Sequence, residues 1–148
     1  MPDAAPSYVS LDYALGHHGL IPERVETVTS VTTGRSRNFH TPFGAFSYRM
    51  LKCPRYAVGA MIERADNTSF LVASPEKALV DKVWTDKRFS GLRLSDYDAY
   101  LADDLRIDRQ SLSRFDDFRL QVIAAAYDSA KINNLVQYLN RLKEAPHA

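Results

Sequence analysis

The sequence predicts an α+β fold, with a small, antiparallel, strongly curved sheet over residues ~25–73, a short helix before it and a helical half after it. Three observations carry this expectation. Val25 to Thr33 (V-E-T-V-T-S-V-T-T) is almost wholly Val and Thr, whose branched side chains favour a pleated surface. From Phe43 to Ala73 apolar residues alternate in short stretches broken by Pro, Gly and Asp-Asn, which is how short strands with tight connections read. Beyond Trp84 the apolar spacing changes to three and four, the period of a helix with one buried face.

In chain order, Ser10 precedes L-D-Y-A-L-G-H-H-G-L, where Leu11, Ala14, Leu15 and His18 share a face and Gly19 marks a stop. This predicts a two-turn helix. After the Val/Thr strand, Gly34 to Asn38 is a polar turn carrying Arg35 and Arg37. Phe39 resumes a strand that ends at Thr41-Pro42-Phe43-Gly44. The next strand points Phe46, Tyr48 and Met50 one way, with Ser47 and Arg49 the other. Pro54 breaks it, and Tyr56, Val58, Ala60 and Ile62 repeat the alternation. Ala65-Asp66-Asn67-Thr68 reads as a hairpin loop, and Phe70 to Ala73 closes the set.

Ser74-Pro75-Glu76 then reads as a helix start: a capping hydroxyl, a proline suited to the first turn and an acid complementing the dipole. Leu79 with Val83 and Val80 with Trp84 give that helix an apolar stripe. Ser95, with Asp98 three residues on, starts a helix to about Leu105. Asp108 caps a short helix through Arg114, and Asp116 or Asp117 starts a longer one with Leu120, Ile123, Ala124 and Tyr127 inward. Ile132, Leu135, Val136, Leu139 and Leu142 make the clearest amphipathic face in the chain.

The 148 residues fit one domain, 1–148, sheet-rich over 8–84 and helical over 95–144. The single Cys excludes an internal disulfide and suits a reducing interior. The N-terminus has neither the basic nor the apolar region of a signal peptide, and no run approaches the ~20 apolar residues of a membrane helix. Net charge is only +1, yet it is unevenly placed. Arg24 to Tyr56 holds six Lys/Arg against Glu26, a net of +5, and Ser95 to Asp117 holds seven Asp against three Arg, a net of −4. Such a chain can offer a basic face to a polyanion, or can simply cover two solvated faces with unlike charge.

Catalytic and cofactor patterns are sparse. His17, His18, His40, His147 and Cys53 have no zinc-like spacing, so no metal or other cofactor is expected. Cys53 reads as a small buried thiol. Ser74 lacks the G-x-S-x-G frame of an exposed nucleophile, and capping explains it. No glycine-rich phosphate loop occurs, and Asp96, Asp98, Asp103 and Asp104 lack the spacing of a calcium loop. These readings favour a protein that is not an enzyme; only His40 beside Arg37 and Thr41 hints otherwise. The positive feature is T-G-R-S-R-N-F, where two arginines on a turn can grip phosphates above an anchoring Phe39; the bland alternative is a solubilising hairpin tip.

Three stretches, Y-V-S-L-D-Y-A-L-G-H-H-G-L-I-P-E, T-S-V-T-T-G-R-S-R-N-F-H-T-P-F-G-A-F-S-Y-R and F-L-V-A-S-P-E-K-A-L-V-D, together with the closing K-I-N-N-L-V-Q-Y-L-N-R-L, resemble the abortive-infection AbiEi antitoxin family of type IV toxin–antitoxin systems. The resemblance spans roughly Tyr8 to Leu142 and covers that family's C-terminal antitoxin domain, without its N-terminal winged helix-turn-helix. It implies a cytoplasmic antitoxin in a phage-defence system, and a transcriptional-regulator-like role. The partner would be a nucleotidyltransferase-type toxin, with DNA or RNA as a further possibility and no membrane. Carried over residue by residue, it marks Arg35, Arg37, Arg49 and Lys77 as basic positions, with Arg35 and Arg37 as contacts to nucleic acid, toxin or target and Lys77 along the helix surface. Lys52 belongs with them as part of the basic segment. The alternative function is a nucleic-acid-binding regulatory domain using the basic face around Arg35 and Arg37.

Overall fold

The computed structural model describes residues 6–65 and 68–144, and gives no side-chain burial for residues 62–69. The expected loop residues Asp66 and Asn67, and His147, lie outside the described residues. Among the described residues there are six strands: β1 Ser7–Val9, β2 Val28–Thr32, β3 Arg37–Thr41, β4 Gly44–Met50, β5 Ala60–Ala65 and β6 Thr68–Ala73. The helices are α1 Leu11–His17, α2 Cys53–Tyr56, α3 Pro75–Thr85, α4 Leu94–Ala99, α5 Arg109–Ser113, α6 Asp117–Tyr127 and α7 Ala130–Glu144, with a π-helical turn at Tyr100–Asp104.

The strands form one sheet in the order β3-β4-β2-β1-β6-β5. This corrects the expected antiparallel, strongly curved sheet: the fold is mixed α/β, and its sheet is mixed and not strongly curled. Two pairings are parallel, β2 with β4 and β1 with β6. The first arises because β3 and β4 form a hairpin that folds back with β4 innermost, so β2 meets β4 and β3 is left at the edge. The second arises because Ser7–Val9, which sequence reading leaves as a lead-in to α1, is a central strand. Three residues are too few to display a period of two, yet they join the two halves of the sheet.

The alternation expected from Tyr56 to Ile62 is also corrected at its start. Pro54 occupies the first turn of α2 rather than merely ending a strand, and pairing resumes only at Ala60. Between them Gly59 has φ +90°, and a Cβ there would lie 2.8 Å from the Cβ of Lys77, so glycine lets this segment press against α3.

The helix α3 lies at the centre of the packing. Ser74 caps it by accepting from the Lys77 N–H at 3.1 Å, Pro75 sits in its first turn, and Ala78, Leu79, Val80 and Val83 are fully buried. One side meets Ala14 and Leu15 of α1. Others meet Leu120, Ile123 and Ala124 of α6 and Ile132, Leu135 and Leu139 of α7. Each such fully buried leucine is worth roughly 1.5–3 kcal/mol of transfer free energy. In α6, Asp116 is the N-cap, accepting from the Arg119 N–H at 2.9 Å. The cap of α4 differs from expectation. The helix starts at Leu94 with Arg93 in the cap position, two residues before the expected Ser95, and Asp96 makes the capping bond, accepting from the Arg93 N–H at 3.1 Å.

Candidate interaction surface

The arginine-bearing segment folds as the β3–β4 hairpin at one edge of the sheet. Its two-residue connection, Pro42-Phe43, is held by Thr41, whose hydroxyl accepts from the Phe43 N–H at 3.1 Å and donates to the Gly44 carbonyl at 3.2 Å. Opposed residues share a face, so Arg37 with Tyr48 and Phe39 with Phe46 point the same way. Phe39 meets Tyr48 edge-on at 5.8 Å, and the Arg37 guanidinium lies 4.8 Å above the Phe39 ring, within cation–π range. Phe43 at the tip is 93% exposed. A phenylalanine left in water forgoes its whole burial energy, so the tip is an apolar knob ringed by polar backbone.

The structure does not assemble the predicted basic residues into one face. Arg35 is exposed on the turn before β3, beside Arg37, and Ser36 braces that turn by accepting from the Met50 N–H at 2.8 Å. Arg49 follows Tyr48 and so projects from the opposite face, where it reaches the Thr85 carbonyl at 3.4 Å. Lys52 is exposed at the cap of α2. Arg55, counted in the same basic segment, turns inward: it lies 4.3 Å over the Trp84 ring and donates to the Tyr127 carbonyl at 2.9 and 3.2 Å.

Lys77 requires a correction. It was expected along the helix surface, and it is wholly buried. Its ammonium donates to Asp81 Oδ1 at 2.5 Å and lies 2.6 Å from the Tyr127 hydroxyl, which itself donates to Asp81. The other Asp81 oxygen accepts from the Ser10 hydroxyl at 2.6 Å. Ser10 therefore ties α1 to α3 rather than capping α1. Burial pulls the Lys77 pKa down, and Asp81 partly opposes that. Burial, then the charge of Asp81, pushes the Tyr127 and Tyr8 hydroxyls up. Tyr8 packs against Tyr56 with ring centres 4.9 Å apart, and its hydroxyl meets no hydrogen-bond partner among the described residues. Lys77 and Asp81, four apart on one helix, were legible as a pair. Ser10 and Tyr127 were not, because only the tertiary fold brings them in.

A groove runs along the helix-bearing side of the sheet. One end, about 380 Å³, is lined by Leu11, Thr29, Ser47, Arg49, Thr85 and Lys87. The other, about 520 Å³, is lined by Ile21, Glu23, Phe89, Tyr100, Asp104 and Leu105. Asp12, Lys82, Asp86 and Arg88 border both. In the shared middle Lys82 pairs with Asp12 at 3.0 Å, and Asp86 accepts from the Tyr100 hydroxyl at 2.9 Å. Phe89 stacks on Tyr100 at 4.0 Å. The residues lining the Arg49 end carry four cations and two acids, and those lining the Tyr100 end two cations and four acids. The groove is therefore electrically polarised.

Among the described residues, no group of three or more His, Cys, Asp or Glu is placed to hold a metal ion. His18 Nε2 lies 2.7 Å from the Ala73 carbonyl, and the His17 ring meets Phe70 edge-on. Cys53, expected as a buried thiol, is exposed at the start of α2. The Asp cluster is divided: Asp96 caps α4, Asp98 accepts from the Tyr138 hydroxyl, and Asp103 and Asp104 face solvent. No helix among the described residues is long and apolar enough to cross a membrane. No family model matches the chain, and neither a curated protein nor a solved structure matches it.

Proposed function

We propose that this chain is a cytoplasmic, non-catalytic binding domain of the antitoxin kind, counteracting a nucleotidyltransferase-type toxin and using the β3–β4 hairpin as its recognition element. The observation that carries the proposal is Phe43. The most specific part of the resemblance, R-S-R-N-F-H-T-P-F-G-A-F-S-Y-R, coincides with a hairpin at the sheet edge whose tip holds out a 93% exposed phenylalanine. An exposed aromatic with arginines nearby is the composition of an interface anchor. The test is growth rescue: this chain is co-expressed with the toxin encoded beside it, as wild type, Phe43→Ser and Arg35→Ala/Arg37→Ala, at matched soluble levels. Rescue by wild type and loss in the variants is expected. Failure of wild type to rescue, or full rescue by both variants, overturns the reading.

A second reading, nucleic-acid binding with a regulatory role, rests on Arg37 stacked over Phe39 beside Tyr48, a pairing of cation and ring suited to phosphate and base. It now concerns Arg35 and Arg37 alone, because Arg49 and Arg55 face elsewhere. It requires affinity that falls steeply with salt; no binding at low salt removes it.

A further inference from the structure

We propose that the basic end of the groove is a binding site for a phosphoryl group, with Arg49 and Lys87 as its principal ligands. The site is independent of the hairpin reading, since Arg49 projects from the sheet face opposite Arg37.

Four observations converge on this end. First, its acids are already engaged: Asp12 pairs with Lys82, and Asp86 accepts from Tyr100 and from the Arg88 N–H at 3.3 Å. Second, its outer cations have donors to spare. The Arg49 guanidinium makes one long contact, to the Thr85 carbonyl, and Lys87 makes none among the described residues. That contact also offsets the negative end of the α3 dipole, which would otherwise repel an anion. Third, Ser47 stands beside Thr29 across the β2–β4 pairing and two residues from Arg49 on the same face. The Thr29 hydroxyl is committed, donating to the Ser10 carbonyl at 2.6 Å, whereas the Ser47 hydroxyl has no partner among the described residues. Fourth, Leu11, which lines this end, sits in the left-handed region with φ +60°. A bulky side chain there is strained and persists only where neighbours enforce it, a circumstance that concentrates at ligand sites. The enforcing contacts are the bonds from Ser10 to Asp81 and between Ser10 and Thr29.

A planar guanidinium that can take two oxygens, an adjacent ammonium and a hydroxyl donor match a tetrahedral, doubly charged oxyanion. A volume of about 380 Å³ fits a phosphate with part of what it is esterified to. The ligand class is thus a phosphate ester or anhydride, whether a small molecule or the backbone of a nucleic acid.

The experiment titrates the isotope-labelled full chain with inorganic phosphate, pyrophosphate and a short single-stranded oligonucleotide, all at one ionic strength, and follows backbone amide resonances. Expected is saturable movement of the Ser47, Arg49 and Lys87 amides, with affinity reduced about tenfold or more in Arg49→Ala and less in Arg49→Lys, which keeps the charge but not the fork. Ser47→Ala gives a smaller loss, and Arg141→Ala, which removes an exposed arginine of α7 away from the groove, leaves binding intact. Saturation by pyrophosphate alone identifies a small phosphorylated ligand. Tighter saturation by the oligonucleotide identifies a nucleic-acid backbone. Either outcome supports the site. Shifts that track ionic strength without saturating, equal affinity in Arg49→Ala, or an equal loss of binding in Arg141→Ala overturns it.

Discussion

The ammonium of Lys77 lies 2.6 Å from the hydroxyl of Tyr127, and both side chains are sealed from solvent. With Asp81 between them they form a polar triangle that joins α3 to α6 within the core. A buried charge is tolerated only while its partner is present, because the interior cannot replace the lost hydration.

Removing one member of the triangle should therefore be severe. Lys77→Met strands the Asp81 carboxylate, and Asp81→Leu strands the ammonium. Each should cost about 3–5 kcal/mol, and the double variant should recover most of it. Urea unfolding of the four proteins measures this. Single variants within about 0.5 kcal/mol of wild type would mean that the triangle contributes nothing.

Alkaline pH should unfold the protein over a defined window. Burial, reinforced by Asp96, pushes the Tyr97 hydroxyl up to about 12 from an ordinary 10, and Tyr8, Tyr100, Tyr127 and Tyr138 are raised in the same direction, chiefly by burial. A raised pKa means the folded state holds its proton longer. The associated stability is complete below the unfolded value of 10 and is lost as pH climbs through the folded one. Lys77 and Lys131, whose pKa values burial lowers, act oppositely: their part of the stability rises as pH approaches the ordinary lysine value of 10.5. The tyrosines outnumber them. Thermal midpoints should change little in weakly alkaline solution and fall steeply between pH 10 and about 12, with tyrosinate absorbance appearing together with unfolding. Smooth ionisation ahead of unfolding would contradict this.

At the hairpin tip the effects on stability and on binding should separate. Phe43→Ser removes a side chain that touches little, so stability should stay within about 0.5 kcal/mol, while the growth rescue that the proposed antitoxin role requires should fall. Chemical denaturation and growth rescue on the same preparation decide it. A large stability loss would show that the tip is structural.

Gly59→Ala should destabilise more than an ordinary glycine replacement. The new Cβ meets the Lys77 chain at 2.8 Å with φ at +90°, so both strain and a clash apply. Gly19→Ala, at φ +73° with open space around it, isolates the strain and should cost about 1 kcal/mol. The difference between the two midpoints reports the close approach. Equal losses would deny it.

Local chemistry made much of the helical half legible. Ser74, Pro75 and the four-residue spacing of Leu79 and Val83 describe α3, Asp116 caps α6, and Ile132, Leu135 and Leu139 are the inward face of α7. The sheet was legible strand by strand but not in its order, because alternation fixes which side chains share a face and says nothing of which strand lies alongside. Tyr8 and Val9 show the limit: with so short a strand, only the partners Val31 and Val72 reveal its place. At the candidate site, Arg35 and Arg37 were placed together from their spacing. One residue's parity separates Arg49 from them, and Lys77 reads as a surface residue because a lone charge favours water; its burial depends on Asp81 and Tyr127, with Ser10 bonded in turn to Asp81.

The position of β1 has a consequence for biogenesis. Residues 7–9 leave the ribosome before either of their partners: one flank of the strand awaits Ser30–Thr32 and the other awaits Val72 of β6. Until then the nascent chain carries an unpaired ribbon with Tyr8 uncovered, and the ring closed by Val9 and Val72 must form against a long loop's entropy. The rate of folding should thus be governed by this late seam, whereas the β3–β4 hairpin can zip locally as soon as it emerges.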